Sequence, residues 1–223
     1  MLVNAIKAFF DKRQNPKILD GAMTAQLKVY LEKLQTPIEV VASLDDSGKA
    51  QEMCALLDEI AILSDKIQLR RDGNDDRKPS FSIARPGEPA RIRFAGIPMG
   101  QEFTSLVLAL LQTGGHPPKV EPELIEKIRS ISGSFHFETY MTMTCHNCPD
   151  VVQVLNMMAV LNPGISHTMI DGTLYLCEID QHKIKVVPTV HLNGHFFDQG
   201  RKTVEQYITR IDADALALEA RSN

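Results

Sequence analysis

The segment Cys145-His146-Asn147-Cys148 places two thiols three positions apart, between a predicted strand over residues 135–141 and a predicted helix over residues 148–160. Apolar periodicity indicates both elements. The free N–H groups and the dipole at a helix N-terminus favour a thiolate, which is the nucleophile of disulfide exchange. Two cysteines at this spacing can also close a small disulfide with little backbone movement. The segment therefore predicts a redox-active dithiol.

A proline before a further predicted strand supports this interpretation. Val187-Pro188-Thr189 lies about 40 positions after the second cysteine and opens a strand predicted over residues 187–192. A C-x-x-C motif within strand–helix alternation is typical of a thioredoxin-like redox site. If the peptide bond before Pro188 is cis, we expect this proline to shape a backbone edge beside the dithiol. An extended substrate segment can pair with such an edge.

The composition excludes several other classes of protein. The chain has 223 residues, of which 43% are hydrophobic and 23% charged, so it can bury a sizeable core. The formal net charge of −4 gives no reason to expect nucleic acid or an anionic membrane as a partner. Four cysteines do not make a secreted disulfide scaffold. No signal peptide or membrane-spanning run is recognisable, and we expect a soluble, cytoplasmic protein.

The order of predicted strands and helices repeats at an offset of about 100 residues. Val41 falls opposite Met141, while Asp45 and Gly48 fall opposite the two cysteines. The first half thus has the frame of a redox fold without a dithiol. Pro98 after Ile97 resembles Val187-Pro188 at the level of the repeat, because each precedes or starts a late element of its half, although no cis bond is assigned to Pro98. Strands alternating with helices predict parallel pairing within each half.

Several stretches of the sequence form a specific pattern beyond the order of strands and helices. The longest is FAGIPMGQEFTSLVLALL, followed closely by GGHP, and the dithiol lies in TCHNCPDVVQ. The shorter stretches are ASLDDS, RKPSF, VLNP, VP, NG and QGR. Together they are similar to the N-terminal region of the bacterial alkyl hydroperoxide reductase flavoprotein subunit, over about residues 23–212.

This resemblance implies an α/β fold made of two tandem thioredoxin-like units that share one continuous sheet. Residues 23–117 correspond to a first fold without a dithiol, and residues 118–212 to a second fold with the C-x-x-C motif. We expect residues 1–22 to be an N-terminal extension and residues 213–223 a C-terminal tail.

The resemblance also assigns site residues. Cys145 attacks a substrate disulfide and Cys148 resolves the mixed disulfide. Glu102 corresponds to a buried acid that the first fold places near the dithiol, suited to moving a proton near neutral pH. The expected substrate-binding residues are the cis-proline Pro188 and its neighbours in the two loops, Thr189, Thr144 and His146. No metal ligand is assigned.

In the resembled family this region receives electrons from a flavin domain and passes them to a peroxiredoxin. The present sequence ends at Asn223 without a Gly-x-Gly-x-x-Gly motif. We therefore expect no bound cofactor, with FAD and NADH acting only through a separate flavin-dependent disulfide reductase. The expected activity is that of a thiol–disulfide oxidoreductase, an alkyl hydroperoxide reductase component that reduces a peroxiredoxin in the response to oxidative stress. Gln101 departs from the family, which usually has histidine there.

Alternative interpretations remain open at this stage. The chain could be a general thioredoxin- or glutaredoxin-like reductase of unrelated disulfides. It could also bind a soft metal without turnover, because Met143-Thr144-Cys145 and Cys148 resemble the Cu(I)-binding loop of metal chaperones. Glu102 could be a solvated carboxylate at a helix start. The remaining cysteines, Cys54 and Cys177, are expected to be small apolar core residues.

Overall fold

Eight strands form one continuous sheet in the computed structural model, which describes residues 17–212. The strands are β1 (Ile38–Ser43), β2 (Ile67–Arg70), β3 (Ser80–Ala84), β4 (Ile92–Ala95), β5 (Phe135–Met141), β6 (Ile165–Asp171), β7 (Thr189–Leu192) and β8 (His195–Gln199). The helices are α1 (Gly21–Leu31), α2 (Gly48–Ala61), α3 (Phe103–Thr113), α4 (Pro122–Ser130), α5 (Cys148–Leu161), α6 (Leu176–Gln181) and α7 (204–212). A 3₁₀ turn, Gly100–Glu102, precedes α3. Residues 1–16 of the predicted N-terminal extension and the whole predicted tail, residues 213–223, lie outside the described residues.

The two halves have the same strand pairing. In the first half β1 pairs in parallel with β2 and antiparallel with β3, which pairs antiparallel with β4. In the second half β5 pairs in the same way with β6 and β7, and β7 pairs with β8. A parallel pairing of β4 with β6, with Phe94 opposite Met169, joins the halves. The predicted α/β class and the continuous sheet are confirmed.

Most of the apolar core lies between one face of the sheet and the helices. Alternate strand residues such as Val40, Phe94 and Met169 point to this face and are fully or almost fully buried, as period-two alternation requires. Helices α3 and α5, one from each half, pack against each other here. Each fully buried side chain of this size stabilises the fold by about 1.5–3 kcal/mol. The core is therefore shared by both halves.

Charged contacts join the halves on the opposite face of the sheet. The Arg77 guanidinium donates to Glu178 of α6 at 2.8 Å and to Glu138 of β5 at 2.6 Å. The Tyr175 hydroxyl donates to the carbonyl oxygen of Pro79 at 2.9 Å. The carboxylates of Glu138 and Glu178 are both largely buried. Removing one partner of such a network typically costs about 3–5 kcal/mol.

The repeat alignment holds to within one residue for the first strands and fails after them. The N–H of Gly73 donates to the carbonyl of Ala42 as that of Gly172 donates to Met141, so Ala42, the residue after the predicted Val41, corresponds to Met141. The cis peptide bonds, however, precede Pro79 and Pro188. The interpretation of Pro98 as the counterpart of Pro188 was therefore wrong. Helix α6 has no counterpart in the first half, and its insertion lengthens the offset before β7.

Two further findings bear on the sequence predictions. No helix in the described part of the chain is long and apolar enough to cross a membrane. Cys177 lies exposed on α6, and Cys54 is only half-buried. The expectation that both thiols fill the core was wrong. No residue of α6 is fully buried, and Cys54 on α2 contacts the polar side chains of Asp58 and Arg71.

Candidate active site

The predicted dithiol lies where β5 ends and α5 begins. Cys145 and Cys148 form a disulfide with a Cα–Cα distance of 5.5 Å. Helix α5 starts at Cys148, and Cys145 lies in the preceding turn, where its N–H donates to the carbonyl of Thr142 at 3.0 Å. The β5–α5 connection therefore holds both thiols within bonding distance, as the spacing predicts.

The two sulfur-bearing residues differ in exposure. Cys148 is completely buried, whereas Cys145 is half-buried and is followed by the exposed residues His146 and Asn147. Thr144, on the other side of Cys145, is also exposed. A molecule that approaches the site from outside therefore meets Cys145 first.

The helix start at the dithiol differs from its counterpart in the first half. At α2, the hydroxyl of Ser47 accepts a hydrogen bond from the N–H of Ala50 at 3.1 Å, and Asp45 accepts from the N–H of Ser47 at 3.0 Å. At α5, the residue in the same place, Asn147, makes no side-chain hydrogen bond to the helix start. The first N–H groups of α5 thus stay available to stabilise negative charge on sulfur.

Glu102 reaches this region from the first half. The 3₁₀ turn that carries it packs against α5, and a Cβ at Gly100 would lie 3.8 Å from the carbonyl oxygen of Met143, beside the dithiol loop. The Glu102 side chain is 0% exposed, and neither carboxylate oxygen has a hydrogen-bond partner among the described residues. Glu102 is therefore not a solvated helix-start carboxylate, which decides against that alternative.

The environment of Glu102 makes its carboxyl group a weak acid. Burial raises its pKa from 4.5 to about 7, and the negative charge of Asp150 contributes in the same direction. The nearby Ser105 hydroxyl opposes this shift without cancelling it. A buried, unpaired carboxyl group with a pKa near neutrality can accept and release a proton under physiological conditions.

The Val187–Pro188 peptide bond is cis. Cross-strand pairing of Tyr140 with Thr189 brings Pro188 to the end of β5 from which the dithiol loop emerges. The Thr189 hydroxyl donates to the carbonyl of Val186 at 2.7 Å, so this group is engaged within the protein. The described residues provide no hydrogen-bond partner for the backbone N–H and C=O of Val187. A free backbone edge therefore lies beside the dithiol.

Sequence reasoning did not find two contacts around the site. Arg201 Nε lies 2.9 Å from Oδ2 of Asp150 in the first turn of α5. Gln153 of α5 donates to the Ser105 hydroxyl of α3 at 3.2 Å, close to Glu102. The partners in each contact are about 50 positions apart in sequence, and no local pattern indicates either pair.

Comparison with known proteins agrees with the sequence analysis. The thioredoxin domain family matches residues 136–212. The AhpF subunit of alkyl hydroperoxide reductase from Pseudomonas aeruginosa is 56% identical over 203 residues, which cover 91% of this chain and 39% of that protein. The Escherichia coli K12 protein of the same name is 54% identical over 199 residues, covering 89% and 38%.

Solved structures give the same result. The NTD_N/C domain of the alkylhydroperoxide reductase AhpF of Enterococcus faecalis superposes with a TM-score of 0.79 at 29% identity, covering 86% of this chain and 99% of that domain. A protein disulfide oxidoreductase of Aeropyrum pernix shares the fold, with a TM-score of 0.76 at 22% identity over 90% of this chain and 96% of its own.

These matches confirm that the chain resembles the N-terminal region of the alkyl hydroperoxide reductase flavoprotein subunit and has a thioredoxin-like fold. The chain spans about two fifths of the length of the relatives in the sequence comparison.

Proposed function

We propose that this chain is a thiol–disulfide oxidoreductase that passes electron pairs through Cys145 and Cys148 to a partner peroxiredoxin, within a hydroperoxide-reducing system. One observation carries the proposal: a disulfide with one accessible and one buried cysteine lies at an uncapped helix start, beside the buried acid Glu102. The high identity to AhpF proteins of alkyl hydroperoxide reductase supports this reaction class.

The reaction starts from the reduced dithiol and proceeds in two exchanges. The Cys145 thiolate attacks a sulfur of the partner's disulfide, forms a mixed disulfide and expels the partner's other sulfur as a thiolate. The Cys148 thiolate then attacks Sγ of Cys145 and releases the second partner thiolate. The partner gains two electrons, and the Cys145–Cys148 disulfide of the present structure forms. Glu102 accepts the proton that Cys148 loses. This proton and one from solvent, which replaces the proton that Cys145 lost on ionising, convert the partner's two thiolates to thiols.

The free backbone edge at Val187 provides the place for the partner segment. An extended segment that pairs with this edge lies beside Cys145. The cis-proline Pro188 and the pairing of Thr189 with β5 hold this edge in position. Thr144 and His146 are exposed on the dithiol loop and contact the bound segment in this arrangement. Backbone pairing gives affinity, whereas side-chain contacts give specificity.

The dithiol must be reduced again after each cycle. A flavin-dependent disulfide reductase, using FAD and NADH, supplies the electrons in this proposal, and this chain itself binds neither group. We further infer that residues 23–117 and 118–212 are the two thioredoxin-like units and that the reaction takes place in the cytoplasm, without nucleic acid or membrane as a partner.

A trapped adduct tests the proposal. The Cys148→Ser variant is mixed with oxidised peroxiredoxin and separated on a non-reducing gel. The Cys177→Ser background is used throughout, because Cys177 is exposed and would form adducts of its own. We expect a 1:1 covalent adduct that disappears in Cys145→Ser, because the mixed disulfide cannot be resolved.

Other outcomes distinguish the alternatives. An adduct with a general disulfide substrate but none with peroxiredoxin would favour a general reductase. Absence of any adduct, together with stoichiometric retention of Cu(I) or Zn(II) by the reduced protein, would overturn the redox proposal in favour of metal binding. Among residues 17–212, no group of three or more histidine, cysteine or acidic side chains is placed to hold a metal ion.

A further inference from the structure

Arg201 connects the two backbone segments that enclose the dithiol. The N–H of Gly200 donates to the carbonyl of Pro188 at 2.8 Å, which ties the turn after β8 to the cis-proline. The next residue, Arg201, lies with Nε 2.9 Å from Oδ2 of Asp150. Asp150 is two positions after Cys148 in the first turn of α5. One hydrogen bond and one ion pair thus link the cis-proline edge to the dithiol helix.

The negative charge of Asp150, in the first turn of α5, disfavours the reduced form of the dithiol. The disulfide is neutral, but the reduced site places a thiolate at the start of α5, where Asp150 repels it. The same negative charge of Asp150 also contributes to the raised pKa of Glu102. The charged or titratable side chains around the dithiol are Glu102 on the 3₁₀ turn, Asp150 on α5, His146 on the dithiol loop and Arg201 after β8. Arg201 is the cation that contacts Asp150.

We propose that Arg201 is a positioning residue that sets the balance between dithiol and disulfide at Cys145 and Cys148, by holding and neutralising Asp150. The inference rests on the proposed function, since it concerns the redox couple of the same two cysteines. Arg201 is itself 67% exposed in its side chain, so its removal leaves no cavity in the core.

The proposal predicts a pattern of opposite signs. Arg201→Met leaves Asp150 uncompensated, and we expect the equilibrium with a reference thiol to move about twofold to fivefold towards the disulfide, as for single charges at helix ends. Asp150→Asn should move it by a similar factor towards the dithiol. The equilibrium constant of the double variant should lie close to that of the unmodified chain. Arg201→Lys should change the equilibrium constant only slightly, because lysine keeps the positive charge.

The experiment equilibrates each variant, in the Cys54→Ser/Cys177→Ser background, with glutathione buffers of defined ratio and counts alkylated thiols by mass spectrometry. A threefold change in the equilibrium constant corresponds to about 14 mV. Lys202→Met is the matched control, because Lys202 is the adjacent cation and pairs instead with Asp198 at 3.3 Å. It should leave the equilibrium unchanged.

Each outcome decides a separate question. Equal shifts for Arg201→Met and Lys202→Met would show a general effect of net charge and overturn the role of Arg201. Shifts of the same sign for Arg201→Met and Asp150→Asn would overturn it as well, as would no shift in either. If the unmodified chain itself shows no reversible two-electron couple, the proposed function fails first, independently of Arg201.

Discussion

Replacing Glu102 with glutamine should make the folded protein more stable at neutral and alkaline pH and leave it unchanged in acid. Burial without a hydrogen-bond partner raises the pKa of Glu102 from 4.5 to about 7. In acid the carboxyl group is protonated in both the folded and the unfolded chain and has no net effect. As the pH rises above about 4.5, the unfolded chain loses this proton first. The folded state is then progressively disfavoured until its own carboxyl group ionises.

The pKa shift gives the size of the effect. A difference of one pKa unit corresponds to about 1.4 kcal/mol, so the penalty approaches about 3 kcal/mol once the pH exceeds the folded-state pKa of about 7. Glutamine has nearly the same shape and no charge. Its two buried polar atoms lack partners, as the two oxygens of the parent carboxyl group do, so this cost is similar in both proteins and does not change with pH. The difference between the variants at two pH values isolates the ionisation.

Urea unfolding of the oxidised proteins at pH 4.5 and pH 8 measures this difference. The free energy of unfolding of Glu102→Gln relative to the parent should rise by about 2–3 kcal/mol between the two pH values. Glu123→Gln, which removes an exposed carboxylate from α4, is the control and should show almost no change. A pH-independent difference for Glu102→Gln would refute the assignment of a raised pKa, and with it the proton-transfer role. The resolution step, followed separately by stopped flow, should slow by about 100-fold or more near pH 7.

Three other predictions concern stability. Glu138→Gln should remove about 3 kcal/mol of stability at pH 7 and flatten the loss that the parent shows in acid, because the nearby His136 and the hydrogen bond and charge of Arg77 lower the pKa of Glu138 from 4.5 to about 2. That stability is present above about pH 4.5 and lost as the pH falls towards 2; an unchanged acid transition would contradict the assignment. Gly73→Ala should cost about 1–3 kcal/mol by chemical denaturation, since its Cβ would lie 2.4 Å from the Ser43 hydroxyl and 2.7 Å from the Ala42 carbonyl. Gly48→Ala, at the open start of α2, should be neutral or slightly stabilising, and equal losses for both glycines would refute the steric argument.

Local patterns predicted most of the strands and helices because each depends on neighbouring residues. Apolar alternation indicated β5 and helical spacing indicated α5, so the strand–helix junction at Cys145 and Cys148 could be located from sequence alone. The parallel pairs β1–β2 and β5–β6 followed from the alternation of strands and helices. The remaining pairs within each half are antiparallel, and the prediction of parallel pairing did not cover them. The continuous sheet, in contrast, depends on the pairing of β4 with β6, which no local pattern encodes and which the family resemblance supplied.

The errors have a common physical cause. Pro98 was matched with Pro188 because each precedes or starts a late element of its half. Helix α6, which is present in the second half only, places the cis-proline further along that half than its counterpart Pro79 lies along the first half. Cys177 was expected in the core because a short apolar residue usually packs there. However, α6 is a short helix with no fully buried residue, and Cys177 lies on its exposed side while Ile179 packs against the sheet. The contact between Arg201 and Asp150 depends on tertiary packing. Such features follow only from the folded arrangement of distant segments.

The first half of the molecule is best understood as a support for the dithiol in the second. Where the second half has Cys145 and Cys148, the first half has Asp45 and Gly48. At the start of helix α2 the Ser47 hydroxyl accepts from the N–H of Ala50, and Asp45 accepts from the N–H of Ser47, whereas α5 has no such side-chain cap. The same half provides Glu102, whose buried carboxyl group lies against the dithiol helix, and strand β4, which covers one edge of the β5–β6 pair. In the proposed function, the half that has no dithiol thus supplies the acid, the sheet edge and the shared core on which the half with the dithiol depends.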